Sequence, residues 1–217
     1  MTDDAASLPM KISVYLMHFP VRTLGPGTRI GIWFQGCRRR CPGCVTPESW
    51  NFAPEDAVSL DEVLGYLKKY TQEMDGLTVS GGEPFDQPEA LLELLRRVKS
   101  MGMADVLVYS GFRADELTER HPEFWAEGLI DALVDGPFEL GNPTDSTWKG
   151  SENQTFTLWN ESLAPRYALW TRETARRLQW VRDLKTGARR LVGIPRQEDA
   201  PRLTGGTLWT ENISSRS

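Results

Sequence analysis

The period of apolar and polar positions changes several times along the chain. Residues 11–18, KISVYLMH, alternate loosely and predict a strand, and RIGIWF (29–34) is a β-rich apolar run that gives out at Gly36. Between them, FPVRTLGPGTR gathers turn formers around Gly25-Pro26-Gly27. From Ser59 the period becomes helical. Leu60, Val63, Leu64 and Leu67 share one face, and Ser59 with Glu62 makes an S-x-x-E capping box. GLTVS (76–80) predicts a buried strand that breaks at Gly81-Gly82, and Asp86, Pro88 and Glu89 open a helix running through LLELLRRV towards Gly102. VLVYS (106–110) predicts a further strand, Arg113–Arg120 a helix, and DALVD (131–135) another strand. Strands alternating with helices over this distance imply βα units on a parallel sheet.

After Asp135 the pattern changes. GPFELGNPTDSTWKGSENQ is loop-like, yet its aromatic and charged residues do not suit a flexible linker. RRLQWVRD (176–183) and RRLVGIP (189–195) flank Lys185-Thr186-Gly187 and predict a β-hairpin. The tail from about residue 201 is polar and is expected to be flexible.

A length of 217 residues suits one sizeable core. A net charge of -5 argues against a general nucleic-acid binder. Asp3 and Asp4 stand where a signal peptide would be basic, and no apolar run approaches the ~18 residues of a membrane span. These features predict a cytoplasmic protein that engages neither membrane nor nucleic acid.

All three cysteines, Cys37, Cys41 and Cys44, fall in one short loop with C-x3-C-x2-C spacing, after the strand at 29–34. Three readings compete. A [4Fe–4S] cube normally takes four thiolates, so three would leave one iron open for chemistry. A structural zinc site needs a fourth ligand, and only His18 and His121 are on offer, neither nearby in sequence. A redox dithiol would leave Cys37 idle. The iron–sulfur reading uses every cysteine. Arg38, Arg39 and Arg40, between the first two, read either as a solvated basic face or as a group that attracts an acidic partner or tunes a cluster. Trp33, Phe34 and Trp125 read as core, and neither histidine reads as a ligand or base.

A second signal is GGEPF, Gly81–Phe85, lying between a predicted strand and a predicted helix. Together with the cysteine loop it resembles the radical S-adenosylmethionine (SAM) superfamily, in which SAM binds the open iron through its amino and carboxylate groups. The segment GCRRRCPGCVTPESWNF narrows the resemblance to the glycyl-radical-enzyme activating branch. It has Gly43 before the third cysteine, then Pro47, Glu48 and Trp50 after it. The turn at Gly25-Pro26-Gly27, VDGPF (134–138) and WKGSENQ (148–154) are similar to segments of that branch as well. Thr46 and Lys149 depart from its pattern, where asparagine and arginine are usual, and a lysine cannot reproduce the bidentate contacts of an arginine.

The resemblance implies an α/β fold, an incomplete TIM-type βα barrel of the radical SAM type, here with a C-terminal β-hairpin extension. The core domain is expected at 1–155, and an extension packed on it at 156–217. Cys37, Cys41 and Cys44 would hold one [4Fe–4S] cluster per chain. Gly43, Val45, Gly81, Gly82, Glu83, Ser110 and Asp135 would bind SAM, with Glu83 as an acceptor for its ammonium. No catalytic residue is expected beyond these ligands. The implied activity is that of a radical SAM oxidoreductase of the activating-enzyme type. An external one-electron reductant, flavodoxin- or ferredoxin-like, drives cleavage of SAM to a 5′-deoxyadenosyl radical, which abstracts hydrogen from a glycine of a partner glycyl-radical enzyme. Modification of a peptide or small metabolite is the alternative substrate reading, and a zinc-binding interaction module a distant one.

Overall fold

The computed structural model describes residues 9–172, 178–183 and 186–199. Lys185 of the predicted hairpin turn, Arg176 and Arg177 at its start, and the tail from about 201 lie outside them.

Strands β1 (Lys11–Ile12), β2 (Val14–Val21) and β3 (Arg29–Phe34) lead into the cysteine loop. A short β4 (Val58–Ser59) pairs with β1, and α1 (Leu60–Lys68) comes directly after it. The predicted capping box is present: Ser59 Oγ accepts the Glu62 N–H, and the Glu62 carboxylate accepts the Ser59 N–H. Next come β5 (Gly76–Gly81), α2 (Pro88–Ser100), β6 (Val106–Tyr109), α3 (Ala114–Arg120), α4 (Glu123–Ala126), β7 (Ala132–Asp135), β8 (Thr155–Leu158) and α5 (Ala164–Thr171). Finally β9 (Leu178–Arg182) and β10 (Arg189–Gly193) pair antiparallel, Val181 opposite Arg190.

Six strands form one sheet in the order β2-β3-β5-β6-β7-β8. The inner four, β3, β5, β6 and β7, are parallel, whereas β2 and β8 close the edges antiparallel. The edge strand β8 and the helices α4 and α5 carried no periodic signal that marks them. TFTL alternates weakly and becomes a strand because β7 offers it an edge. Asp86 does not open α2: Gln87 is the residue before its Pro88 start, and Asp86 instead accepts the Arg38 N–H in the cysteine loop at 2.7 Å.

Strand alternation sends the two faces of the sheet to different cores. Ile30, Ile32, Phe34, Leu77, Val79, Val106, Val108 and Leu133 meet α1–α4. The intervening residues face the other way. There, Trp33 and Leu16 pack with Val181 and Val192 of the β9–β10 hairpin, while Leu107, Ala132 and Val134 pack with Tyr167 and Trp170 of α5. The same face holds a fully buried ion pair. Arg29 donates to both oxygens of Asp105 at 2.9 Å, to Thr78 Oγ1 at 2.6 Å and to the Leu77 carbonyl at 2.7 Å. The Tyr167 hydroxyl donates to Asp105 at 2.7 Å, tying α5 to this pair. Every donor of the guanidinium has a partner, as burial of a charge requires.

Candidate active site

The cysteine loop begins where β3 ends, and backbone bonds seat it. Gly36 and Cys37 donate N–H bonds to the Ser49 and Trp50 carbonyls, and Glu83 N–H donates to the Gly36 carbonyl at 2.9 Å. The chains cross so closely that a Cβ on Gly82 would lie 2.1 Å from the Gly36 oxygen. That contact explains a glycine at 82 without any ligand. Gly36 and Gly43 turn the loop with φ of 103° and 75°, and Arg40 does so as a non-glycine at 45°. The turn aims the N–H groups of Arg40 and Arg39 at the Cys37 sulfur, and the Phe138 N–H hydrogen-bonds to Cys41.

All three cysteines line one cavity at the C-terminal ends of β3, β5 and β6. Burial pushes the Cys37 thiol up to about 11 against the pull of those N–H groups, and burial raises Cys41 as well. Cys37 is buried, and Cys41 and Cys44 are partly exposed. Among the described residues no three His, Cys, Asp or Glu side chains converge to hold a single ion. Three thiols spread around one cavity instead suit a group whose ligands bind separate irons. The donor set, the N–H bonds to sulfur and the absence of any fourth cysteine fit a [4Fe–4S] cube with one iron left open.

Six of the seven expected SAM-binding residues line the same cavity: Gly43, Val45, Gly81, Gly82, Glu83 and Ser110. Asp135 does not. Strand parity puts it with Leu133 on the helix face, where it accepts the Ala114 N–H at 2.9 Å, at the start of α3, and the Thr155 hydroxyl. The neighbouring Gly136 and Phe138 reach the cavity in its place. Lys149 is buried and turns onto its own loop, donating to the Glu152 carbonyl at 2.9 Å and its carboxylate at 3.1 Å.

Glu83 is 1% exposed and already well occupied. Its carboxylate accepts the Ser110 hydroxyl at 2.9 Å, the Gly111 N–H at 2.7 Å and the Phe85 N–H at 3.1 Å. A carboxylate has about four lone-pair sites, so one remains. Burial raises its pKa to about 7, although all three donors pull it down.

Sequence reasoning did not single out Arg39. Its guanidinium lies 4.4 Å over the Phe112 ring, lines the cavity and keeps its Nε buried without a partner. A Cβ on Gly111 would sit 3.0 Å from Arg39 Nε and 3.3 Å from Glu83 Oε2, so a cation and a carboxylate flank that glycine. The only signal was a run of three arginines, which does not say which of them turns inward.

A family model described as "4Fe-4S single cluster domain" matches residues 23–157. The anaerobic ribonucleoside-triphosphate reductase-activating protein of Haemophilus influenzae is 34% identical over 149 residues, covering 64% of this chain and 94% of that protein. Its Escherichia coli counterpart is 31% identical over 149 residues, covering 64% and 95%. The pyruvate formate-lyase-activating enzyme of Clostridium pasteurianum is 36% identical over 92 residues, covering 41% of this chain and 39% of that enzyme. These matches set aside the zinc reading. With a cavity that gathers three thiols and Gly81-Gly82-Glu83, they make the chain a member of the 4Fe-4S single cluster family, a radical SAM enzyme of the glycyl-radical-enzyme activating kind that uses a [4Fe–4S] cluster and SAM.

Proposed function

We propose that the chain activates a glycyl-radical enzyme by removing a hydrogen atom from a backbone glycine. One observation carries the reading: the cysteine loop, Gly81-Gly82-Glu83 and Ser110 line one cavity at the C-terminal ends of parallel strands, which is where α/β folds build their sites. The sheet then acts as an incomplete βα barrel of the radical SAM type, with the hairpin and α5 on its inner face.

Cys37, Cys41 and Cys44 would hold the cluster. The remaining lone pair of Glu83 and the carbonyls of Gly81 and Gly82 would receive the SAM ammonium, and the free Arg39 Nε–H would face its carboxylate. Gly43, Val45 and Ser110 border the same space. When bound, the reduced cluster and SAM supply a carbon-centred radical that takes the hydrogen atom. The protein's part is to orient SAM, to keep water from it and to admit the substrate glycine. Arg38, whose side chain is 75% exposed beside the loop, suits the approach of an acidic flavodoxin- or ferredoxin-like reductant.

Modification of a peptide or small metabolite is the second reading, favoured by the extra hairpin beyond residue 157, outside the family match, and by Thr46 and Lys149. The test is anaerobic reconstitution, reduction in the presence of SAM, and mixing with an anaerobic ribonucleoside-triphosphate reductase. A glycyl-radical doublet by electron paramagnetic resonance is the expected result. Cleavage of SAM with no doublet on that reductase or on a pyruvate formate-lyase would overturn the activation reading in favour of the second.

A further inference from the structure

The stretch that matches the family ends at residue 157, and the C-terminal residues beyond it lie outside that match. Yet Ile194, Pro195 and Gln197 line the cavity that holds the three cysteines and Glu83. They are fastened in place. Gln197 Oε1 accepts the Gly141 N–H at 2.8 Å, and its Nε2 donates to the Glu139 carbonyl at 2.9 Å and to the Gly150 carbonyl at 3.1 Å. The side-chain amide thus clamps the segment to both ends of the 139–150 loop, with its hydrogen-bonding capacity largely spent. The preceding hairpin is anchored as well. Val181 and Val192 pack on Leu16, Val21 and Trp33, and the Gln179 amide accepts the Arg22 N–H at 3.2 Å and donates to the Pro20 carbonyl at 2.7 Å.

We infer that this segment is a specificity wall for the proposed reaction, with Ile194 as a specificity-determining residue and Gln197 as the positioning residue that holds it. The wall presents isoleucine, proline and an amide already bonded to backbone, and among the described residues the extension adds no ionisable group to the cavity. A charged metabolite would be desolvated against such a surface without a partner, whereas an uncharged length of peptide backbone around a glycine loses far less hydration free energy by lying against it. The inference deepens the activation reading and rests on it for the identity of the substrate. The existence of the wall can be tested separately.

With SAM alone, Ile194→Trp narrows the cavity and raises the KM of reductive SAM cleavage at least ~10-fold while iron stays at wild-type content. A KM within about twofold of wild type overturns the wall whatever the substrate is. With an anaerobic ribonucleoside-triphosphate reductase, Ile194→Asp lowers kcat/KM for radical installation at least ~10-fold and Ile194→Val restores it; equal values for Asp and wild type overturn the specificity role. For Gln197→Ala, hydrogen exchange at the Gly141 amide accelerates at least ~10-fold, and KM for the reductase rises more than kcat falls. An unchanged KM with accelerated exchange makes Gln197 structural only and overturns its positioning role. If the wild type installs no radical on any glycyl-radical enzyme, the activation reading fails, and the SAM measurement still decides the wall.

Discussion

Ser110 donates its hydroxyl to the Glu83 carboxylate at 2.9 Å, joining the ends of β5 and β6 beneath the cysteine loop. The bond is one of three that hold a buried acid whose pKa stands at about 7. An acid whose pKa rises on folding binds its proton more tightly in the folded chain, so its share of stability is fullest at low pH. That share falls as pH climbs from 4.5 to about 7 and is level above. For the cluster-free protein, Glu83→Gln therefore gains on wild type by about 3 kcal/mol between pH 4.5 and pH 8. Urea unfolding across that range checks it, and parallel pH profiles for the two proteins would refute the shift.

Cys37 differs from the other two cysteines in burial, and its thiol is pushed up to about 11. In the cluster-free protein at pH 8, iodoacetamide should label Cys37 at least ~10-fold more slowly than Cys44, because the thiolate is the reactive form and access is restricted. Peptide mapping by mass spectrometry measures the order. Replacing any of Cys37, Cys41 or Cys44 by alanine should abolish SAM cleavage.

Gly82 passes so near the Gly36 carbonyl that a Cβ would be 2.1 Å from its oxygen. Gly82→Ala must push the cysteine loop off the end of β5, at a cost of about 3 kcal/mol. Iron content after reconstitution should fall well below wild type, while Gly65→Ala, with nothing within 4 Å of the added carbon, should reconstitute normally.

The Arg29–Asp105 pair is fully buried and shares Asp105 with Tyr167. Asp105→Ala leaves an uncompensated guanidinium and should cost 3–5 kcal/mol, roughly the range for breaking buried pairs. Tyr167→Phe removes one hydrogen bond and should cost about 1.5 kcal/mol. Denaturant midpoints at constant slope distinguish these two from a general loss of compactness.

Local patterns were enough to locate most elements. Apolar periodicity marked β3, β5, β6, β7, α1 and α2, and the Ser59–Glu62 box marked the start of α1, because helix caps and strand alternation are settled by neighbours in sequence. The C-x3-C-x2-C loop and GGEPF were legible for the same reason: each is a short segment whose turn residues and thiols lie next to one another. Contacts between distant segments were not legible. The sheet's antiparallel edges depend on which strands find a free edge, and β8 is a strand only beside β7. Asp135 faced α3 rather than the cavity because pleat parity is set by the register of the whole sheet. The choice of Arg39 among three arginines depended on Phe112, far along the chain, offering a ring to rest on. Gln197 reaches Glu139, Gly141 and Gly150 beside a hairpin packed on Trp33 and Leu16, so the part of the chain beyond the family match meets the site through tertiary packing.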